Sequence, residues 1–160
     1  EMILHSLKFF MSDGKIPDLI LHLRPTSPLR DPKKISEAIK LAVKNKDTAT
    51  SLRSIQEMSE TAYKSLEIGP DENLVSVFSH SDDLELSNLN RQSFPKTYSA
   101  NGYVDILFPS KILNSNKIHG DFVLPIKTEK IIEVDDEFDL QLLENMGNFT
   151  NYYFNLVFGV

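Results

Sequence analysis

Apolar positions recur along this chain in two periods, one helical and one of strand type. In residues 2 to 11, "MILHSLKFFM", Ile3, Leu4, Leu7, Phe10 and Met11 recur at helical spacing, which predicts an amphipathic helix stopping near Gly14. The run "PDLILHL" is short and apolar after a turn, as in a strand covered on both faces. The helical period returns at Asp31, which suits an N-cap. Pro32 suits the first helical position, and Ile35, Ala38, Ile39, Ala42 and Val43 form the stripe. "TATSLRSI" reads as the next strand, and "AYKSLEI" and "LVSVF" flank the turn "GPDEN" as a hairpin. Residues 79 to 101 are polar without a sustained period, a loop long enough to be a site candidate. Beyond it, "GYVDILF" predicts a strand, "PSKILNS" a short helix, and "DFVLPI" and "KIIEVD" two more strands. Residues 136 to 146 predict a last helix closed by Gly147. Helices interleaved with buried strands indicate an α/β sheet. The tail 147–160 is aromatic, which suits packing on the core or on a second copy of the chain, or else an added segment without order.

Composition narrows the classes. The chain has 160 residues with 41% hydrophobic and 25% charged, the makeup of one globular domain. A net charge of −6 argues against a nucleic-acid partner, which selects a basic footprint, and leaves room for a local basic pocket. Without cysteine there is no disulfide, thiolate metal site or cysteine nucleophile. No apolar run approaches the ~20 residues that span a bilayer. A cytoplasmic setting with no membrane partner is the expectation.

Three stretches carry chemistry. "RPTSPLR" follows a strand, where α/β sheets bind ligands. Pro25 and Pro28 stiffen it, Thr26 and Ser27 offer hydroxyls, and Arg24 and Arg30 offer bidentate charge; the alternative is a rigid turn with surface arginines. In "IIEVDDEFD", Glu133 and Asp135 share a face if the segment is a strand, a pair suited to Mg²⁺ with substrate phosphates. Asp136, Glu137 and Asp139 fit acids at a helix N-terminus better. "NRQSFPKTYSANG" gathers Arg91, Gln92, Lys96, Tyr98 and Asn101, able to hold a carboxylate and hydroxyls, or else a solvated loop. Histidines 5, 22, 80 and 119 show no ligand spacing and read as structural.

In this order the three motifs resemble the acylneuraminate cytidylyltransferases, or CMP-sialic acid synthetases. That family carries "QPTSPLR", then "RQ..P..Y..NG", then "DID...D" before its final helix. Here they read "RPTSPLR" from Arg24, "RQSFPKTYSANG" from Arg91 and "EVDDEFD" from Glu133, covering residues 1 to 146. The resemblance implies a three-layer nucleotidyltransferase-like mixed sheet, N-terminally truncated, so that 1–146 forms the C-terminal two-thirds of the domain. It lacks the N-terminal Gly/Ser loop that grips CTP, so the strand before "RPTSPLR" is expected to lack neighbours on one side.

The resemblance implies attack of a nine-carbon keto sugar acid on the α-phosphate of CTP, giving the CMP sugar and pyrophosphate. Glu133 and Asp135 would be the Mg²⁺ pair and, with Arg91, the catalytic set. Arg24, Thr26, Ser27, Arg30, Lys64, Gln92, Tyr98 and Asn101 would bind substrate, with Lys64 and Arg91 directed at the sugar carboxylate, often across a homodimer. Arg24 replaces the family's Gln and Glu133 its Asp, which points to a sugar other than N-acetylneuraminate or to an adjusted metal geometry. The alternatives are a catalytically incompetent sugar-acid-binding or dimerisation module, and an unrelated α/β nucleotidyltransferase.

Overall fold

A computed structural model describes residues 2–12, 14, 16–80 and 83–145; the predicted helix end at Met146 and Gly147 and the tail lie outside them. Four strands form a mixed sheet in the order β1-β5-β2-β6, and two more form the separate hairpin β3-β4. The strands are β1 (Ile20–His22), β2 (Ser51–Glu57), β3 (Leu66–Ile68), β4 (Leu74–Ser76), β5 (Tyr98–Leu107) and β6 (Val123–Thr128). Strand β5 runs antiparallel to both its neighbours, while β2 and β6 run parallel. Among the described residues β1 is an edge strand paired with β5 alone, as the sequence reading expected.

Four α-helices join the strands: α1 (Met2–Ser12), α2 (Pro32–Asn45), α3 (Pro109–Ser115) and α4 (Glu137–Asn145). Adjacent strand residues point to opposite faces, and the core divides accordingly. Ala38 and Ala42 of α2 are buried with Leu52, Val104 and Ile106, with Leu21 and Leu124 packed beside them. Leu7 of α1 and Ile112 of α3 are buried with Leu107, with Ile20 packed beside them. The sheet thus has helices on both faces, and alanines at the α2 contact let that helix approach closely.

Helix α2 starts as its sequence dictates. Asp31 Oδ1 accepts from the Lys33 amide at 2.8 Å, and Pro32 occupies the first turn, where its missing N–H costs nothing. Tyr103, buried from β5, accepts from the Asp31 amide at 2.8 Å and fixes this helix end to the sheet. Helix α3 closes on Asn116 in the left-handed region, φ 55°. The hairpin β3-β4 turns at Gly69, whose amide donates to Asn73 O at 2.8 Å.

Five readings change. The first residues of "AYKSLEI" form a short helical turn, Ala62–Lys64, so β3 starts only at Leu66. Phe10 and Met11 are exposed, because α1 meets the core through Ile3, Leu4 and Leu7 instead. Val43 is likewise exposed, off the α2 contact face. Strand β5 begins at Tyr98, inside the stretch read as loop. "KIIEVD" is not a strand: it has no ladder partner among the described residues, and its one backbone-to-backbone bond runs from Val134 N to Thr26 O at 2.7 Å, the rest of its ties going through side chains.

Strand β5 can run so long because it is interrupted. Its register with β2 passes from Arg53↔Asp105 to Ile55↔Ala100, a large bulge over residues 101–104. The Ser54 hydroxyl plugs it, donating to Asn101 O at 3.2 Å and accepting from the Val104 amide at 2.9 Å. Removing that hydroxyl leaves a buried N–H and C=O unpaired. Ser54→Ala is therefore expected to lower stability by about 1–3 kcal/mol, read from the urea midpoint; an unchanged midpoint would mean the bulge holds itself.

Candidate functional site

The bulge sets the site. Gly102 sits where a Cβ would lie 2.5 Å from Glu133 Oε1, 2.5 Å from Ser27 Oγ and 3.1 Å from Arg24 Cδ. Only glycine leaves room for these three side chains to converge. Glu133 Oε1 accepts from the Gly102 amide at 2.7 Å and from Ser27 Oγ at 3.2 Å. Two of the predicted motifs thus each supply one donor to a single carboxylate oxygen of the third.

Arg30 spends its guanidinium on the backbone. Nε donates to Tyr103 O at 2.6 Å, and Nη2 donates to Gly102 O at 2.9 Å and to Arg24 O. It staples the loop after β1 to the bulge, which is why the loop carries so much polar chemistry. Ser27 is buried and Thr26 exposed, its carbonyl holding Val134. Arg24 runs past Gly102 and brings Nη2 to 3.9 Å from Asp105 Oδ2.

Asn101 is structural in its bonding: buried, it donates to Gln56 Oε1 at 3.3 Å and Thr128 Oγ1 at 2.8 Å and accepts from the Tyr103 amide at 3.3 Å. Arg91 and Lys96 gather at the end of β2. Arg91 Nη2 donates to Glu57 Oε1 at 3.1 Å and Met58 O at 2.9 Å, and Lys96 Nζ to Glu57 Oε2 at 2.9 Å. The Lys96 hydrogen bond holds the Glu57 carboxyl below its ordinary value, and Lys96 is raised in return. Arg91 lines a cavity of about 440 Å³ with Gln56, Ser99 and Lys130, and with Gln92 it lines a neighbouring one of about 420 Å³. Tyr98 lies under Lys127, whose Nζ is 5.1 Å from the ring centroid. Lys64 ends the short turn Ala62–Lys64, and no hydrogen bond or ion pair among the described residues ties its ammonium to the "RPTSPLR" loop.

Among the described residues no three carboxylates or imidazoles are grouped for a metal. Mg²⁺ needs only one or two protein carboxylates beside substrate phosphates. The segment is not a strand, so alternation does not put Glu133 and Asp135 on one face; each still offers a carboxylate, Glu133 having Oε2 outside its bonds to Gly102 and Ser27 and Asp135 being exposed with its amide donating to Asp139 Oδ2 at 3.1 Å.

Sequence reasoning missed Gly102, Glu57 and the row formed by His22, Asp105 and Arg53. Part of the signal for the row was present: "LILHL" and "VDILF" each break an apolar run with one polar residue, and "SLRSI" places Arg53 among strand residues. Pairing Asp105 with both His22 and Arg53 makes them one row. Burial holds the nearby His119 below the ordinary imidazole value, partly opposed by Asp105.

Gly102→Ala is expected to cost about 1–3 kcal/mol through overpacking. In a Glu133→Ala background that cost should shrink, because one of the clashing atoms is gone. Thermal or urea denaturation of the two single variants and the double gives the cycle; strict additivity would separate the two residues.

Compared with known proteins, the chain matches no protein-family model and no curated protein.

Proposed function

We propose that this chain carries the catalytic and acceptor-binding part of a cytidylyltransferase that activates a nine-carbon keto sugar acid with CTP. The observation that supports this is the meeting of Ser27, Gly102 and Glu133 at one oxygen. Those residues come from the three motifs whose order resembles the CMP-sialic acid synthetases. The meeting point lies beyond the carboxyl end of β1, where open α/β sheets bind ligands.

In this reading the anomeric hydroxyl oxygen bonds to the α-phosphorus, the bond to the bridging oxygen breaks, and pyrophosphate leaves with that electron pair. The hydroxyl proton passes to the carboxylate side of the site. Thr26 and Ser27 form the floor, held in shape by Arg30. Arg24 and Gln92 contact the substrates, Tyr98 bounds the acceptor region, and Asn101 acts through the bulge it holds. Arg91 and Lys64 take the sugar carboxylate. Glu133 and Asp135 would hold Mg²⁺, which supplies charge neutralisation on the phosphates and acidifies the attacking hydroxyl. The setting is the cytoplasm and the working form a homodimer.

Incubating the full chain with CTP, Mg²⁺ and sialic- or legionaminic-type acids should yield a CMP sugar by chromatography. Asp135→Asn should lower turnover by about 10²-fold, the scale of losing one preorganised electrostatic group. No product from the wild type, or an Asp135→Asn variant of full activity, overturns the assignment.

A second reading, an association module, has its own observation. The hairpin β3-β4 exposes Ile68 at 75% together with Leu66 and Leu74, and Phe78 follows at 64%. Apolar surface gathered on one excursion suits a second copy. Sedimentation equilibrium should show a dimer that Ile68→Asp shifts toward monomer; a monomeric wild type would reject it.

A further inference from the structure

The row His22, Asp105 and Arg53 has no part in the reaction above. The Asp105 side chain is 5% exposed and stands between cationic groups from three segments. Its Oδ2 lies 3.8 Å from His22 Nδ1 and 3.9 Å from Arg24 Nη2, and its Oδ1 lies 3.6 Å from Arg53 Nε. Arg53 Nη1 is in turn 3.5 Å from His119 Nε2. These separations fall outside the hydrogen-bond range of 2.7 to 3.2 Å typical for such donors. Arg53 Nε and Asp105 Oδ1 are buried with no hydrogen-bond partner among the described residues.

A buried ion pair normally closes to direct contact, because only good geometry offsets desolvation of both charges. Here one carboxylate is shared among two guanidiniums and an imidazole and bonds directly to none. Two arginines against one aspartate leave net positive charge before either imidazole is protonated. The Arg24 and Arg53 side chains are 40% and 32% exposed, so an approaching anion meets guanidinium before it meets the carboxylate. Planar guanidinium forks match phosphate and carboxylate oxygens.

We propose that this recess is an oxyanion subsite, in which Arg24 and Arg53 receive a phosphate or carboxylate group flanked by His22 and His119, with Asp105 the buried counter-charge that positions both arginines. The subsite shares Arg24 with the nucleotidyl-transfer reading but requires neither CTP nor a metal, so anion binding without Mg²⁺ tests it separately.

The chain supplies its own controls. Of its histidines at 5, 22, 80 and 119, two flank the recess; His5 lies on α1, and His80 lies 3.8 Å from Glu67 on the hairpin. His119 starts below the ordinary imidazole value because it is buried, and a bound anion favours its charged form. Proton NMR of the full chain, without and with inorganic pyrophosphate and no Mg²⁺, should perturb the ring resonances of His22 and His119 and raise the His119 midpoint. His5 and His80 should not move. Arg24→Gln, at a half-buried position, and Arg53→Gln should each weaken pyrophosphate binding about tenfold or more, the scale of losing a charge-assisted hydrogen bond.

A parallel titration with a sugar acid identifies the oxyanion: a rise with it alone assigns a carboxylate, and a rise with pyrophosphate alone assigns a phosphate. Circular dichroism checks that each variant folds, and if Arg53→Gln does not, Arg24→Gln decides. Equal shifts at all four histidines, no shift with either anion, or binding that survives Arg24→Gln overturns the subsite. CMP-sugar formation lost with pyrophosphate binding intact would count against the reaction and leave the subsite standing.

Discussion

Glu133 reaches across a position that only glycine can occupy, and the site is organised around that contact. Its Oε1 binds the Gly102 amide and the Ser27 hydroxyl at once, so one oxygen joins the loop after β1, the bulge of β5 and the segment before α4. Those segments belong to different parts of the chain, and none has a strand ladder to the other two at this point. A charge-assisted acceptor is a strong form of tie available where backbone pairing has stopped. Arg30 completes the join from the opposite sense of charge, donating to carbonyls of the loop and the bulge. Carboxylate to amide and guanidinium to carbonyl together replace the ladder that the bulge removes.

The bulge is the reason such a site exists on this sheet. The bulge turns the Gly102 amide to Glu133, past the point where β1 stops pairing with β5. Ser54 absorbs the cost by satisfying the Val104 amide and Asn101 carbonyl inside the sheet, and Asn101 turns its side chain to Gln56 and Thr128. Gln56 then also accepts from Ile131, placing the start of the segment that carries Glu133. The path from core to site is therefore a chain of side-chain amides and hydroxyls, buried at Ser54 and Asn101 and half-buried at Gln56 and Thr128.

What the sequence made legible was local. The α2 start was readable from Asp31 and Pro32, and the hairpin from "GPDEN", because capping and turn chemistry act within a few residues. What it concealed was long-range. The first half of β5 read as loop because its pairing depends on Ser54, far away in sequence. "KIIEVD" alternates like a strand, yet alternation cannot show whether a partner edge is available, and here the segment donates one backbone bond, from Val134 N to Thr26 O. Arg30 and Asn101 were read as substrate contacts from their chemistry, while their bonding in the fold goes to carbonyls and amides. The histidines looked scattered because neither sheet register nor the position of the loop carrying His119 is visible in spacing; pairing puts His22 opposite Asp105, and Asp105 opposite Arg53.

Arg24 belongs to both polar centres, and this gives the opening loop its unusual composition. Its Cδ lies over Gly102 beside Glu133 and Ser27, while its guanidinium extends to within 3.9 Å of Asp105. A shorter neutral side chain at that position could touch the floor but could not carry charge into the recess. With arginine there, the side chain passes the Gly102 position beside Glu133 and carries its charge on to Asp105. The prolines at 25 and 28 matter for the same reason: the side chain must leave a stiff backbone to keep its direction across that span. The recess and the carboxylate floor are on this account one continuous polar surface. Its charge is set by how the arginines at 24, 30 and 53 are shared among two carboxylates and a row of backbone carbonyls.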